Sequence, residues 1–298
     1  MNGTDAPAER PPIGAVRLTR AVALRWLIVS VVGFFASAYC FARALAFVHG
    51  RPLEPIVIAP PTASSALFMA VTSIVLVGVV VVVHELLHGA AMKRYGGAAS
   101  FGVGVSQFVF PAAYAASEGV DYARTQLIVV LVAPFVAITA AGLAVMIVYP
   151  TPLLVVALAA NAAGSVGDLW TAAILWQYPA DARVIDLPGG QRGFALVAPD
   201  GGSIDRRSLA KPFSRVAAGS IGTLTLLVAV ALVAVLVSLA FGSGTVVIGD
   251  PTGRPFLVRH ELRDGVAHLE VGASFVALTA VAGGTAWAIL CGLFGRSP

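Results

Sequence analysis

Long uninterrupted runs of apolar side chains alternate with short polar segments along the whole chain. Six runs stand out, at about 24–48, 65–90, 125–149, 152–177, 218–241 and 273–294. A helix rises 1.5 Å per residue, so about 20 residues cross a hydrocarbon layer of about 30 Å. Each run is long enough to span, and the pattern predicts an all-α polytopic membrane protein with about six transmembrane helices. It is organised as a single membrane domain over 24–295 behind a polar, basic tail over 1–23. The run after that tail is too long, and too poor in small-residue cleavage signals, for a removed secretory signal. Only Pro150, Thr151 and Pro152 separate the third and fourth runs, which makes them an antiparallel pair. Pro134 lies inside the third run and is expected to kink it, leaving a carbonyl that neighbouring groups must satisfy.

Three connecting segments have a different period. Residues 97–110 (GAASFGVGVSQFVF) alternate, with Phe101, Val103 and Val105 on one face and Gly102, Gly104 and Ser106 on the other, which predicts a short membrane-associated β-like segment. Residues 183–198 read as a small hairpin around Pro188-Gly189-Gly190. Residues 245–271 read as a short-stranded unit with turns at Asp250 to Gly253 and at Asp264-Gly265.

Composition and charge sharpen this picture. Residues are 58% hydrophobic and only 11% charged, so lipid is the solvent for most of the fold. Arg10, Arg17, Arg20 and Arg25 precede the first helix, Lys93, Arg94 and Arg124 separate the second and third, and Arg206, Arg207, Lys211 and Arg215 precede the fifth. With six spans these segments share one side, so both termini are predicted cytoplasmic, with a prokaryotic cytoplasmic membrane as the default location. The net charge of +4 is membrane topology and points to no nucleic-acid partner. Cys40 and Cys291 lie inside apolar runs, which argues against a disulfide or a four-cysteine metal site.

The second helix ends in VVVVHELLHGA. His84 and His88 are four apart, so both imidazoles leave one face of a helix and can hold one ion, with Glu85 at its side. In a His-Glu-x-x-His arrangement the histidines bind zinc and the glutamate serves as base toward a bound water. Two histidines and a glutamate in a hydrophobic helix are costly unless paired, ligated or facing a polar cavity. Zinc needs a third protein ligand, and Asp168 is the sole ionisable side chain in the fourth run. Its depth along that helix matches that of the histidines, so it is expected to complete the site or, alternatively, to pair with another buried donor. Asn161, almost two turns earlier, shares its face. Its amide is expected either to hold a substrate backbone and steady a tetrahedral intermediate, or to pair between helices. Gly164, Ser165 and Gly89 are expected to let the second and fourth helices approach closely. His49, His260 and His268 are expected at the surface, Trp170, Trp176 and Tyr178 at the membrane interface, and Glu118 and Asp121 in solvent.

These residues resemble the site-2 protease class of intramembrane zinc metalloproteases, and NAAGSVGDLW at 161–170 is similar to the distal motif of a branch of membrane zincin peptidases. The resemblance covers about 65–177, a zinc metalloprotease core. It implies Zn2+ held by His84, His88 and Asp168, with Glu85 as catalytic base. The β-like segment would help position an extended membrane protein or peptide substrate. The chain departs from the site-2 pattern in that Leu169 follows Asp168 where glycine is usual, and no proline lies between Asn161 and Asp168. The expected function is a zinc-dependent membrane-embedded endopeptidase acting near the cytoplasmic face. The alternatives are a metal-binding transporter or a non-catalytic zinc scaffold, and Glu85 separates them, because only hydrolysis needs it.

Overall fold

A computed structural model describes residues 12–50, 56–58, 63–105, 111–117, 119–187, 193–198, 210–241, 245–250, 256–263 and 266–293. Among them are seven helices: α1 (Arg20–Val48), α2 (Ala63–Arg94), α3 (Arg124–Val148), α4 (Pro152–Gly164), α5 (Val166–Trp176), α6 (Ala210–Phe241) and α7 (Ala273–Leu293). Five are long and apolar enough to cross a bilayer, and α4 and α5, bent by 45° at the break between them, bring the number to six when counted together as one broken span. Their exposed side chains, such as Phe68, Ile74, Val82, Leu236 and Leu278, are apolar and need a lipid solvent. The protein is a predominantly helical polytopic membrane protein with short strands.

The fourth run is therefore broken, where one helix was expected. Ser165, fully buried between α4 and α5, donates its hydroxyl to Asn161 O at 2.7 Å, the carbonyl that also accepts the Ser165 N–H at 3.0 Å. A hydroxyl bonded back to the carbonyl four residues earlier competes with the regular helix bond and favours a bend at this point. The break places Asp168 in the first turn of α5. By contrast α3 continues through Pro134.

Ten strands connect the helices: β1 (Gly14–Arg17), β2 (Ile56–Ile58), β3 (Ser100–Val105), β4 (Pro111–Ala116), β5 (Tyr122–Ala123), β6 (Arg183–Asp186), β7 (Gly193–Val197), β8 (Thr245–Gly249), β9 (Phe256–Arg263) and β10 (Val266–Val271). The chain divides into two compact units, one of Met1–Ser30, Gly78–Ala144 and Ala160–Ser208, the other of Val31–Val77, Val145–Ala159 and Leu209–Pro298. In the first unit the expected 183–198 hairpin is β6 and β7, and its Pro-Gly-Gly turn lies outside the described residues. This hairpin is the middle of a sheet of order β1-β7-β6-β5, with β1 drawn from the segment expected to be a polar tail. Leu175, Tyr178, Ala182, Val184 and Leu196 form a core beside it. Tyr178 is thus buried, not interfacial, because its ring fills the space over Gly14, whereas Trp176 is exposed. Arg124 at the start of α3 donates Nη1 to Tyr178 O at 2.7 Å and to Trp176 O at 3.3 Å, tying that start to the end of α5.

In the first unit β3 also pairs with β4 as an antiparallel hairpin, Gly102 standing opposite Tyr114. Residues 106–110 of the expected strand lie outside the described residues. In the second unit the short-stranded unit expected at 245–271 is β8, β9 and β10, which β2 extends to a sheet of order β2-β10-β9-β8. The turn at Asp264-Gly265, and all but Asp250 of the earlier turn, lie outside the described residues, as does Glu118. His260 on β9 is buried, contrary to the surface position expected, and its Nδ1 meets Ser238 Oγ at 3.0 Å.

Candidate metal centre

His84 and His88 leave the same face of α2, their ring centroids 4.8 Å apart and the planes at 76°. Nε2 of each lies 3.2 Å from one atom, Asp168 Oδ2. The three ligand atoms fall within 4.8 Å of one another, a grouping able to hold a divalent metal. Both histidines are buried, each about 7% exposed, so water does not freely solvate them.

The other faces of the rings decide what the Nε2 atoms carry. His88 Nδ1 lies 2.8 Å from Val130 O, and a carbonyl can only accept, so the proton is on Nδ1. His84 Nδ1 lies 3.1 Å from Asn161 Oδ1. That amide is oriented by its other end, where Nδ2 donates to Phe135 O at 3.3 Å and to Thr139 Oγ1 at 3.4 Å. The oxygen therefore faces His84, whose Nδ1–H donates to it. In the neutral rings both Nε2 lone pairs then point at a carboxylate oxygen. Three electron-pair donors converge with no hydrogen among them, and a cation must sit between them, as imidazole protons or as a metal. Two imidazole nitrogens and one carboxylate oxygen, with the distal ring nitrogens bonded to fixed acceptors, are the donor set of a zinc site that keeps an open position. The residues fit the ion.

The centre opens on a cavity of about 620 Å³. Glu85 lines it beside the histidines, half-buried, and Asn161 and Asp168 lie in the same wall. Most of the rest is apolar, including Leu27, Val80, Met92, Leu127 and Leu131. The structure thus brings together His84, Glu85, His88, Asn161 and Asp168, all within the first unit.

Two lining residues escaped the reading of the sequence. A Cβ on Gly167 would lie 3.0 Å from Trp26 Cε3, so the Trp26 ring rests on the residue before Asp168. Its Nε1 is buried with no hydrogen-bond partner among the described residues. Tyr114 lies over Gly102, where an added Cβ would be 2.6 Å from its hydroxyl. The small-residue face of β3 is therefore covered at Gly102 and Gly104 by Tyr114. The close approach expected of Gly164 is absent, since a Cβ there meets nothing within 4 Å. Gly89 does serve close approach, and its nearest neighbours are Phe101 of β3 and Ala99 just before it. A tyrosine among alanines or a tryptophan near a helix start has no signal of its own; the glycines opposite them were the available clue.

Comparison with known proteins bears on this stretch. No curated protein and no solved structure matches the chain. A protein-family model described as "Putative zincin peptidase" matches residues 77–183, about a third of the chain, and that stretch holds every residue that His84, His88, Asn161 and Asp168 contact through the bonds above.

Proposed function

We propose that the protein is a zinc-dependent membrane-embedded endopeptidase that cleaves membrane or membrane-associated proteins near the cytoplasmic face. The observation that carries the proposal is the convergence of His84 Nε2, His88 Nε2 and Asp168 Oδ2 in a largely apolar cavity that Glu85 also lines. The similarity of 77–183 to a family described as zincin peptidases supports the same reading.

When bound, zinc supplies a Lewis acid that polarises a carbonyl and lowers the pKa of a water. The chain supplies the rest. Glu85, one residue from His84 and half-exposed to the cavity, takes the proton of the attacking water and delivers it to the departing amine nitrogen. The apolar walls exclude bulk water and accept apolar side chains of an unwound membrane segment. The β3–β4 hairpin, anchored beside His88 through Phe101 on Gly89, offers a strand edge along which an extended peptide can lie. Asn161 acts as a positioning residue, since its oxygen and its amine are committed to His84, Phe135 and Thr139.

Glu85→Gln tests the proposal. It removes the proton acceptor and keeps the shape, so hydrolysis of an unfolded membrane-peptide panel should disappear while zinc remains. Cleavage by the variant at the wild-type rate would end the assignment of Glu85 as base.

A further inference from the structure

Resting on the metal reading above, we infer that Pro134 is a positioning residue of the centre: by lacking an N–H, it reserves the Val130 carbonyl for His88. In an α-helix each carbonyl accepts from the N–H four residues on. For Val130 that residue is Pro134, which has none. Val130 is fully enclosed and Pro134 nearly so, and no solvent reaches the carbonyl left open. His88 Nδ1–H fills the vacancy at 2.8 Å, across from α2.

The consequence falls on the opposite ring atom. A proton fixed on Nδ1 leaves the lone pair on Nε2, the atom 3.2 Å from Asp168 Oδ2, and holds the ring plane where that lone pair meets the same point as His84 Nε2. Phe135, the next residue, gives its carbonyl to Asn161, which orients His84. One stretch of α3 that contributes no ligand therefore sets both imidazoles, and its proline is what opens it. An N–H at 134 would compete for Val130 O and release the His88 ring to rotate.

The test compares detergent-solubilised wild type with Pro134→Ala and Pro134→Gly. Both restore the N–H; alanine is the strongest helix former and glycine among the weakest, so the pair separates the returned donor from a change in helix propensity. If the missing N–H is what matters, chelator competition should give zinc binding weaker by roughly 10–100-fold in both variants, the usual effect of losing such an outer partner. Their cobalt(II) visible spectra should change as well. A folded Pro134→Gly with wild-type zinc affinity and an unchanged cobalt spectrum overturns the inference. Nitrogen-15 spectra of zinc-loaded, histidine-labelled wild type give a readout without any variant: His88 should carry its proton on Nδ1, and a proton on Nε2 overturns the proposal. If wild type binds no zinc at all, the metal reading fails first and takes this inference with it.

Discussion

Asn161 is the residue whose role can be separated most cleanly by substitution. Leucine is close to it in size and fills the same buried space, but it removes the acceptor of the His84 Nδ1–H at 3.1 Å. His84 then keeps a buried donor with no partner, at a cost of about 1–3 kcal/mol. Phe135 O and Thr139 Oγ1 lose a donor at 3.3 and 3.4 Å, long contacts whose loss is minor beside it. Because the lost bond fixes the tautomer that presents Nε2 to the metal, most of the penalty should appear in zinc affinity, as a weakening of roughly 10–100-fold, or about 1.4–2.7 kcal/mol. Asn161→Asp keeps an acceptor toward His84 and adds a negative charge, and should bind zinc at least as tightly as wild type. Chelator competition on both variants, with thermal melts of the metal-free forms as a control, reads this directly. Unchanged zinc affinity in Asn161→Leu, with cleavage lost in both variants, would refute the positioning argument and return Asn161 to contact with the substrate.

Four further outcomes follow from the geometry. Gly102→Val should displace Tyr114 from the cavity lining and lower cleavage at least about tenfold with zinc retained, whereas Gly104→Ala, whose Cβ would lie an ordinary 3.4 Å from Tyr114, should cleave like wild type. Gly193 has a φ of 133° and its Cβ would collide with Val16 O, so Gly193→Ala should cost about 1–3 kcal/mol and raise hydrogen exchange selectively over 14–17. Arg124→Met leaves the buried Tyr178 carbonyl without its charged donor and should destabilise by about 1.5–3 kcal/mol, read as a lower Tm of the metal-free protein. Zinc at about 100 times its Kd should stabilise the wild type by about 2.7 kcal/mol, and His88→Ala should abolish that increment in a thermal melt.

How far the sequence could be read depended on the range of the forces involved. The spans were legible because lipid imposes a length and an apolar composition on every one, and α1, α2, α3 and α7 begin and end within a few residues of the expected limits. The break between α4 and α5 was not, because Gly164 and Ser165 are ordinary inside a membrane helix, and a hydroxyl bonded back four residues, as at Ser165, also occurs at Thr223 and Thr285 inside the unbroken α6 and α7. Sheet order was hidden for a different reason: β1 pairs with β7 some 180 residues away, and four residues of alternation at 14–17 carry no detectable period. In β4 the sequence PAAYAA has no strand pattern, so its pairing with β3, and with it the placement of Tyr114, had no local signature. At the centre the chemistry of His84, Glu85 and His88 was written in their spacing, and the need for a carboxylate pointed to Asp168. The requirement that Pro134 free a carbonyl was also legible, but its partner, His88, was not, since 42 residues separate the donor from Val130.

The most direct measurement of the central claim is zinc content with X-ray absorption at the zinc edge on purified, metal-replete protein, beside His84→Ala. The account predicts about one zinc per chain, a first shell of nitrogen and oxygen at about 2.0–2.1 Å with outer-shell scattering from two imidazoles, and loss of one imidazole contribution or of the metal itself in the variant. Zinc-free wild type, or a first shell containing sulfur at about 2.3 Å, would contradict the centre built from His84, His88 and Asp168.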